Sequence, residues 1–503
     1  MFNEKLSQFK RKALILAATT LCAFSLTACN SGSNPDKSEP QPEPEIKATT
    51  GIWSAPAYGL LVDITDNDYS VYQITSDTCQ VFKFSTMFDV NYASLINSIE
   101  VSSDQNSMIT SLAGLKTPGI AMNKQATLPD SCTTELIKQS GDENYVFDAE
   151  AELTIFAQTF EEYYAFFNLE QIDWDETYQV ALNAVQPDTT EEELFAILAA
   201  MIAPLKDFHV DLSNQHMEAQ FNISRKPDLE DIAIMDFIVQ NEISPPFLPE
   251  KFIDFPRYYE AELDKAFTAI LSHVSDNEEI HSNDNESIIW SMIDNNIGYL
   301  MFKTMDDGAI GNAELSVTEN LEILAATMDA VLSDLAGVDG LIIDVRFNEG
   351  GTDKVPHYIV SRLIESDLVA LSKQARLGEE RTPLQNLVLA PQGTSQFVGP
   401  IALLTSTTTA SAAEIFALIM RARPNTVLVG ESSAGGFSDQ LVRTLPHGLL
   451  YTISNEYYVS SLGEEFEGVG VPVNIEQAFF TQEQREAGID LGLNSAVNWL
   501  TNQ

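Results

Sequence analysis

Apolar and polar residues change rhythm several times along this chain, and each change marks a different kind of structure. From Gly51 to about residue 140 the spacing is short and near-alternating. Tyr58-Gly-Leu-Leu-Val-Asp-Ile-Thr and Tyr69-Ser-Val-Tyr-Gln-Ile-Thr flank Asp66-Asn67-Asp68, which predicts a hairpin within a small β module. From Val146 to Met217 the period lengthens. Phe156, Phe160, Tyr163, Tyr164 and Phe167 fall at helical spacings, and Glu191 to Leu205 forms a second amphipathic run. The aromatic stripe reads as core. Residues 218–286 are mixed and end in a polar stretch, Ser275 to Ser287, that reads as an exposed loop.

Beyond Ile297 the text alternates strand and helix. Strands are expected at Ile297-Gly-Tyr-Leu-Met-Phe, Gly340-Leu-Ile-Ile-Asp-Val, Pro400-Ile-Ala-Leu-Leu-Thr and Thr426-Val-Leu-Val-Gly430, with helices over Leu315 to Leu335 and Ala412 to Arg421. Such units predict a layered α/β domain. No fixed-period repeat and no transmembrane helix is visible.

The first residues are read as an address. Lys5, Lys10, Arg11 and Lys12 precede an apolar run from Ala13 to Leu26, which closes on Leu26-Thr27-Ala28-Cys29. This is the layout of a secretory signal. Cysteine directly after Leu-x-Ala resembles the bacterial lipobox, in which that thiol is acylated. Asn30 to Thr49 is rich in Ser, Pro, Glu and Lys and almost free of apolar residues, as a tether should be. Cys22 and Cys29 belong to this leader, which leaves Cys79 and Cys132. In an oxidising compartment they are expected to pair, constraining the unfolded chain by roughly 3–4 kcal/mol. The remaining option is two buried thiols.

With 503 residues, the chain is long enough for two or three domains. Its 74 acidic against 27 basic residues give a formal charge of -47, which repels phosphate backbones and argues against nucleic-acid binding.

The candidate chemistry centres on Thr408-Thr-Ala-Ser411-Ala-Ala-Glu414. A serine at a strand-to-helix junction has unpaired amides and the positive end of a helix dipole beside it. Ser-x-x-Glu is equally a capping box, a structural device. The surrounding text decides between them. L-I-I-D-V-R-F-N-E-G-G, T-T-A-S-A-A-E-I-F, L-V-G-E-S-S-A-G-G and F-E-G-V-G-V-P-V-N follow in that order. Over about residues 200–475 this resembles the carboxyl-terminal-processing peptidase superfamily, which includes tail-specific proteases and the tricorn catalytic core.

That resemblance implies a crotonase-like α/β catalytic core at 287–503, under a helical cap region at 141–286. The β module at 50–140, a tether at 29–49 and a signal peptide at 1–28 complete the expected organisation. It implies Ser411 as nucleophile, with Gly350 or Gly351 and the N–H of Ala412 holding the oxyanion. Tail-specific members activate serine with lysine in a G-E-x-x-x-G-K segment. Gly436 occupies that place here, and no lysine follows Lys373. The tricorn-like branch uses histidine in an L-x-D-x-H motif, matched by Leu205-Lys-Asp207-Phe208-His209, and a glutamate matched by Glu467 in Glu467-Gly-Val-Gly-Val-Pro472. That branch has serine where Phe208 stands, so either Glu467 or Asp207 is left to orient His209.

The expectation is a serine peptidase acting on peptides or proteins, without metal or other cofactor. It would be an exported bacterial lipoprotein, held to a bilayer through acylated Cys29 at the outer membrane or periplasmic face. The rival is a non-catalytic ligand- or peptide-binding lipoprotein on the same scaffold.

Overall fold

A computed structural model of the chain describes residues 49–503, apart from 84–86, 89, 113–116, 222–226, 228, 246, 275–277 and 294–295. The expected signal peptide, Cys29 and nearly all of the tether lie outside the described residues.

The alternating stretch from Gly51 forms a seven-stranded antiparallel sheet. Strands Leu60–Ile64 and Tyr69–Ile74 pair with Ile64 opposite Tyr69, across the anticipated turn. Cys79, on an edge strand, is joined to Cys132 by a disulfide that closes a sequence separation of 53. The helix Ala149–Tyr163 starts where Asp148 accepts the N–H groups of Glu150 and Ala151. Its Phe156 and Phe160 are fully buried. They lie in one core with Trp53 of the sheet, Leu198 of the helix Glu191–Ile202, and Tyr451 and Ile453 from far along the chain.

The second half is built on a seven-stranded sheet whose spatial order follows the sequence: His281–Ser282, Ile288–Ile293, Ile297–Phe302, Gly340–Asp344, Ile401–Thr405, Thr426–Gly430 and Ile475–Glu476. The last five are parallel. Gly340–Asp344 and Ile401–Thr405 are buried at every position, which explains their unbroken apolar text. Alternate residues go to opposite faces. Leu341, Ile343 and Leu403 pack with Leu324 and Met328 of the helix Val317–Asp334 and with Phe416 of the helix Ala412–Ala422. Ile342, Ala402 and Leu404 pack with Phe267 of the helix Phe255–Leu271 and with Leu493 and Ala496 of the helix Leu491–Thr501.

One expectation needs correction. Ser275 to Ser287 is not a wholly exposed loop. Asn283 and Ser287 are buried, with the Asn283 amide donating to Ser287 Oγ at 2.9 Å and to the Ile310 carbonyl at 3.0 Å. Within the region 141–286, His209 lies on a turn before a short strand, Asp211–Ser213, which pairs with Leu450–Ser454. The helical text before it ends at Leu205, with Lys206 in the left-handed conformation.

Candidate active site

Three neighbouring parallel strands deliver the site at their carboxyl ends, the usual place for ligands in open α/β sheets. Gly340–Asp344 leads to Gly350-Gly351, Ile401–Thr405 to Ser411, and Thr426–Gly430 to the loop through Ser433 and Gly436. The first two loops are tied together. Ser406 Oγ donates to the Arg346 carbonyl at 2.6 Å, Thr409 Oγ1 to the Val345 carbonyl at 2.9 Å, and the Ala410 N–H to the Asn348 carbonyl at 3.1 Å. Beneath them the buried Arg346 guanidinium pairs with Asp344 at 2.6 Å and Asp490 at 2.8 Å. Such a pair fixes geometry more than it adds stability.

Ser411 sits at the first turn of the helix Ala412–Ala422 with φ 51° and ψ −125°. This backbone is strained for a non-glycine residue, a feature of sharp strand-to-helix turns that thrust a side chain outward. The capping contacts coexist with it: the Glu414 N–H donates to the Ser411 carbonyl at 2.8 Å, and the Ser411 N–H to Glu414 Oε2 at 3.2 Å. Gly350 passes so close that a Cβ there would lie 2.6 Å from Ser411 Cβ.

Ser411 Oγ lies 3.0 Å from Nε2 of His209, which is 202 residues away in sequence. The histidine is buried and its backbone is held on both sides. Asp207 Oδ1 accepts its N–H at 2.9 Å. Thr452 Oγ1 donates to its carbonyl at 2.7 Å and accepts the Asp211 N–H at 3.1 Å. The Phe208 ring stands 4.2 Å from the imidazole, centroid to centroid. It also covers Gly436, where a Cβ would come within 1.9 Å of a ring carbon. The two departures, glycine at 436 and phenylalanine at 208, therefore fit each other, since the Phe208 ring fills the space that a side chain at 436 would need.

Three carboxyl groups, Glu467, Asp207 and Glu414, hold backbone amides of the segments around Ser411 and His209. Glu467 Oε2 accepts the N–H groups of Phe437 and Ser438, each at 3.0 Å. Burial pushes its carboxyl well above the usual range, and the negative charge of nearby Asp207 pushes it further. Burial, and then the charge of nearby Asp207, hold the Tyr164 hydroxyl well above its ordinary value. Glu414 is fully buried, with its carboxyl pushed up to about 7 by burial against the hydrogen bonds it accepts. The neighbours Glu464 and Glu465 pair with Arg421 and Arg381.

Of the expected oxyanion donors, Gly350 is otherwise engaged: its N–H donates to Asn348 Oδ1 at 2.9 Å. Gly351 comes next at the exposed mouth of the loop. It is clamped between a Gly350 carbonyl that accepts the Met305 N–H at 2.7 Å and a Thr352 N–H that donates to Met305 at 2.8 Å. A Cβ on Gly351 would lie 2.1 Å from backbone atoms of Met305 and Asp306, so only glycine fits. Ala412 is the first residue of its helix, where an N–H has no intrahelical acceptor.

Two other histidines are placed for structure. His447 is buried against Glu152, and burial, then Lys373 and Lys354, push His357 down to about 3. Among the described residues no group of three His, Cys, Asp or Glu side chains could hold a metal ion. Sequence reasoning missed Asn348, Thr452, Ser433 and the part played by Phe208. Asn348 and Ser433 lay within quoted motifs and Phe208 was noted as a departure, but none of these signals a partner; Thr452 carries no local signal.

Residues 296–477 match the family model of peptidase family S41. Among solved structures, a protein from Parabacteroides merdae assigned as a peptidase superposes with a TM-score of 0.53 at 20% identity, over 71% of this chain and 97% of its own. A lipoprotein from Streptococcus agalactiae gives 0.44 at 13% identity, over 72% and 99%. The tricorn protease gives 0.39 at 12% identity, over 87% and 46%. The first of these shares the α/β fold.

Proposed function

We propose that the chain, whose residues 296–477 match the peptidase family S41 model, hydrolyses peptide bonds by a Ser411–His209–Glu467 mechanism outside the cytoplasm. The observation that supports this most is the 3.0 Å approach of His209 Nε2 to Ser411 Oγ, within general-base reach. His209 takes the hydroxyl proton as Ser411 attacks the scissile carbonyl, then returns it to the leaving amine. The N–H groups of Gly351 and Ala412 receive the oxyanion, aided by the positive end of the helix dipole. Burial and the Asp207 charge oppose ionisation of Glu467 in the resting site, and positive charge appearing on His209 would favour its carboxylate form in return.

The test is reaction of the soluble form, begun after the tether, with a fluorophosphonate probe and a diverse peptide library. Stoichiometric labelling with cleavage of peptides is expected. Binding of peptides without either would leave the carrier reading in its place.

Export and anchoring rest on the leader alone. Among the described residues no helix is long and apolar enough to cross a membrane, so the proposed attachment is the acyl chains on Cys29. Cys29→Ala should move the protein from the membrane fraction to soluble or uncleaved forms. Wild-type protein that fractionates as soluble and carries no acyl chains would overturn it.

A further inference from the structure

Glu414 has no part in the proton transfers above, yet it is the most heavily bonded side chain around Ser411. Its Oε1 accepts from Ser433 Oγ and the Gly435 N–H, both at 2.6 Å. Its Oε2 accepts from the Gly436 N–H at 2.8 Å and the Ser411 N–H at 3.2 Å. All of these partners are donors. Ser433 Oγ, having given its proton to Glu414, accepts the Val471 N–H at 2.7 Å. Gly435 in turn accepts the Gly468 N–H at 2.6 Å. One side chain thus joins the serine turn, the loop that ends at Gly436, and the segment Glu467 to Pro472. The neighbouring amides of Phe437 and Ser438 go to Glu467, so four successive N–H groups are divided between two carboxylates.

We propose that Glu414 is a positioning residue whose ionised carboxylate locks the Ser411 turn to the 433–436 loop, which is how this chain fixes its nucleophile without a lysine at 436. The inference rests on the peptidase reading for its kinetic consequence, though not for its structural one. A helix cap needs only the Ser411 N–H satisfied, and glutamine at the third helical position does that as well as glutamate. The arrangement here does not tolerate glutamine. Its NH2 group would have to face either Ser433 and Gly435 or Gly436 and Ser411, and both sites present donors. A negative charge so near the oxyanion would oppose catalysis unless neutralised. Four hydrogen bonds and the helix N-terminus perform that neutralisation.

The lock also supports the base. Gly436 is the surface on which Phe208 packs, and the Phe208 ring lies against His209 at a tilt of 43°. Releasing the Gly436 amide loosens the wall behind the imidazole as well as the turn that aims Ser411.

Glu414→Gln decides the matter in two measurements. In peptide hydrolysis, kcat should fall by about 100-fold or more, the usual cost of an ångström-scale misplacement, with KM little changed. Hydrogen exchange read by mass spectrometry should accelerate in peptides covering 430–437 and 409–416, whether or not the protein turns over substrate. Wild-type kcat with unchanged exchange would return Glu414 to a simple cap and overturn the proposal. Should Glu414→Gln fail to fold, Ser433→Ala keeps the carboxylate and removes one donor. It should lower kcat by about tenfold and raise exchange in the same loop; no change in either overturns the lock. If wild-type protein neither labels nor cleaves, the peptidase reading fails while the exchange result still judges the lock.

Discussion

Ser411→Ala should abolish peptide hydrolysis and fluorophosphonate labelling, lowering kcat by on the order of 10⁶ while the fold persists. The size follows from what is removed. His209 Nε2 approaches this hydroxyl within bonding distance, and without it neither covalent attack nor proton transfer has a starting atom. Stability should change little. The Ser411 N–H and carbonyl remain bonded to Glu414, as in the wild type. Alanine at φ 51° inherits the backbone strain that serine carries, without adding to it. Ser411→Gly sharpens the test: it should be as inactive as alanine, yet relieve that strain, a difference of about 1 kcal/mol. Parallel kinetics and thermal unfolding of both variants check this. Retained turnover in either would mean that Ser411 caps a helix and nothing more.

The legible parts of this site were those carried by short segments. Ser-x-x-Glu at a strand-to-helix junction, glycine pairs after an apolar strand and Asp-x-His before a strand are local patterns, because the backbone geometry they serve spans only a few residues. The central strands were legible for a similar reason: burial on both faces leaves an unbroken apolar run. What stayed hidden depends on partners far apart in sequence. Thr452 anchors the backbone of His209 across 243 residues, and no property of either segment announces it. Nothing in the sequence shows that Asn348 takes the Gly350 amide, because asparagine after a strand has many uses. The buried Asn283 was misread because its polarity suggests solvent, whereas its amide serves carbonyls and hydroxyls inside the fold. The pairing of Phe208 with Gly436 was present as two separate departures from a family pattern. Only their contact shows that one explains the other.

That contact shapes the second large effect. His209→Ala should lower kcat by on the order of 10⁴–10⁶, since a neutral serine hydroxyl is a weak nucleophile and this base has no substitute in reach. The carboxylates around the site are already committed to backbone amides: Asp207 to residue 209, Glu414 to Ser411, Gly435 and Gly436, Glu467 to Phe437 and Ser438. The pH dependence has a definite sign. The base works only as neutral imidazole, so wild-type activity should fall as pH drops and histidine gains its proton. In His209→Ala the histidine step and its plateau should disappear, leaving a residual rate that keeps rising with pH as hydroxide takes over the role of base. Supplying a lysine should not repair the loss. In His209→Ala/Gly436→Lys the new side chain meets the Phe208 ring from its first carbon, 1.9 Å away, and the loop must shift or the protein unfold. Only with Phe208 also reduced to alanine is there room for an amine to approach Ser411. Comparing kcat across the single, double and triple variants therefore tests the base and its packing together. If the double variant recovers activity while Phe208 is intact, lysine and phenylalanine do not compete for that space. If His209→Ala alone retains turnover, the histidine mechanism is wrong.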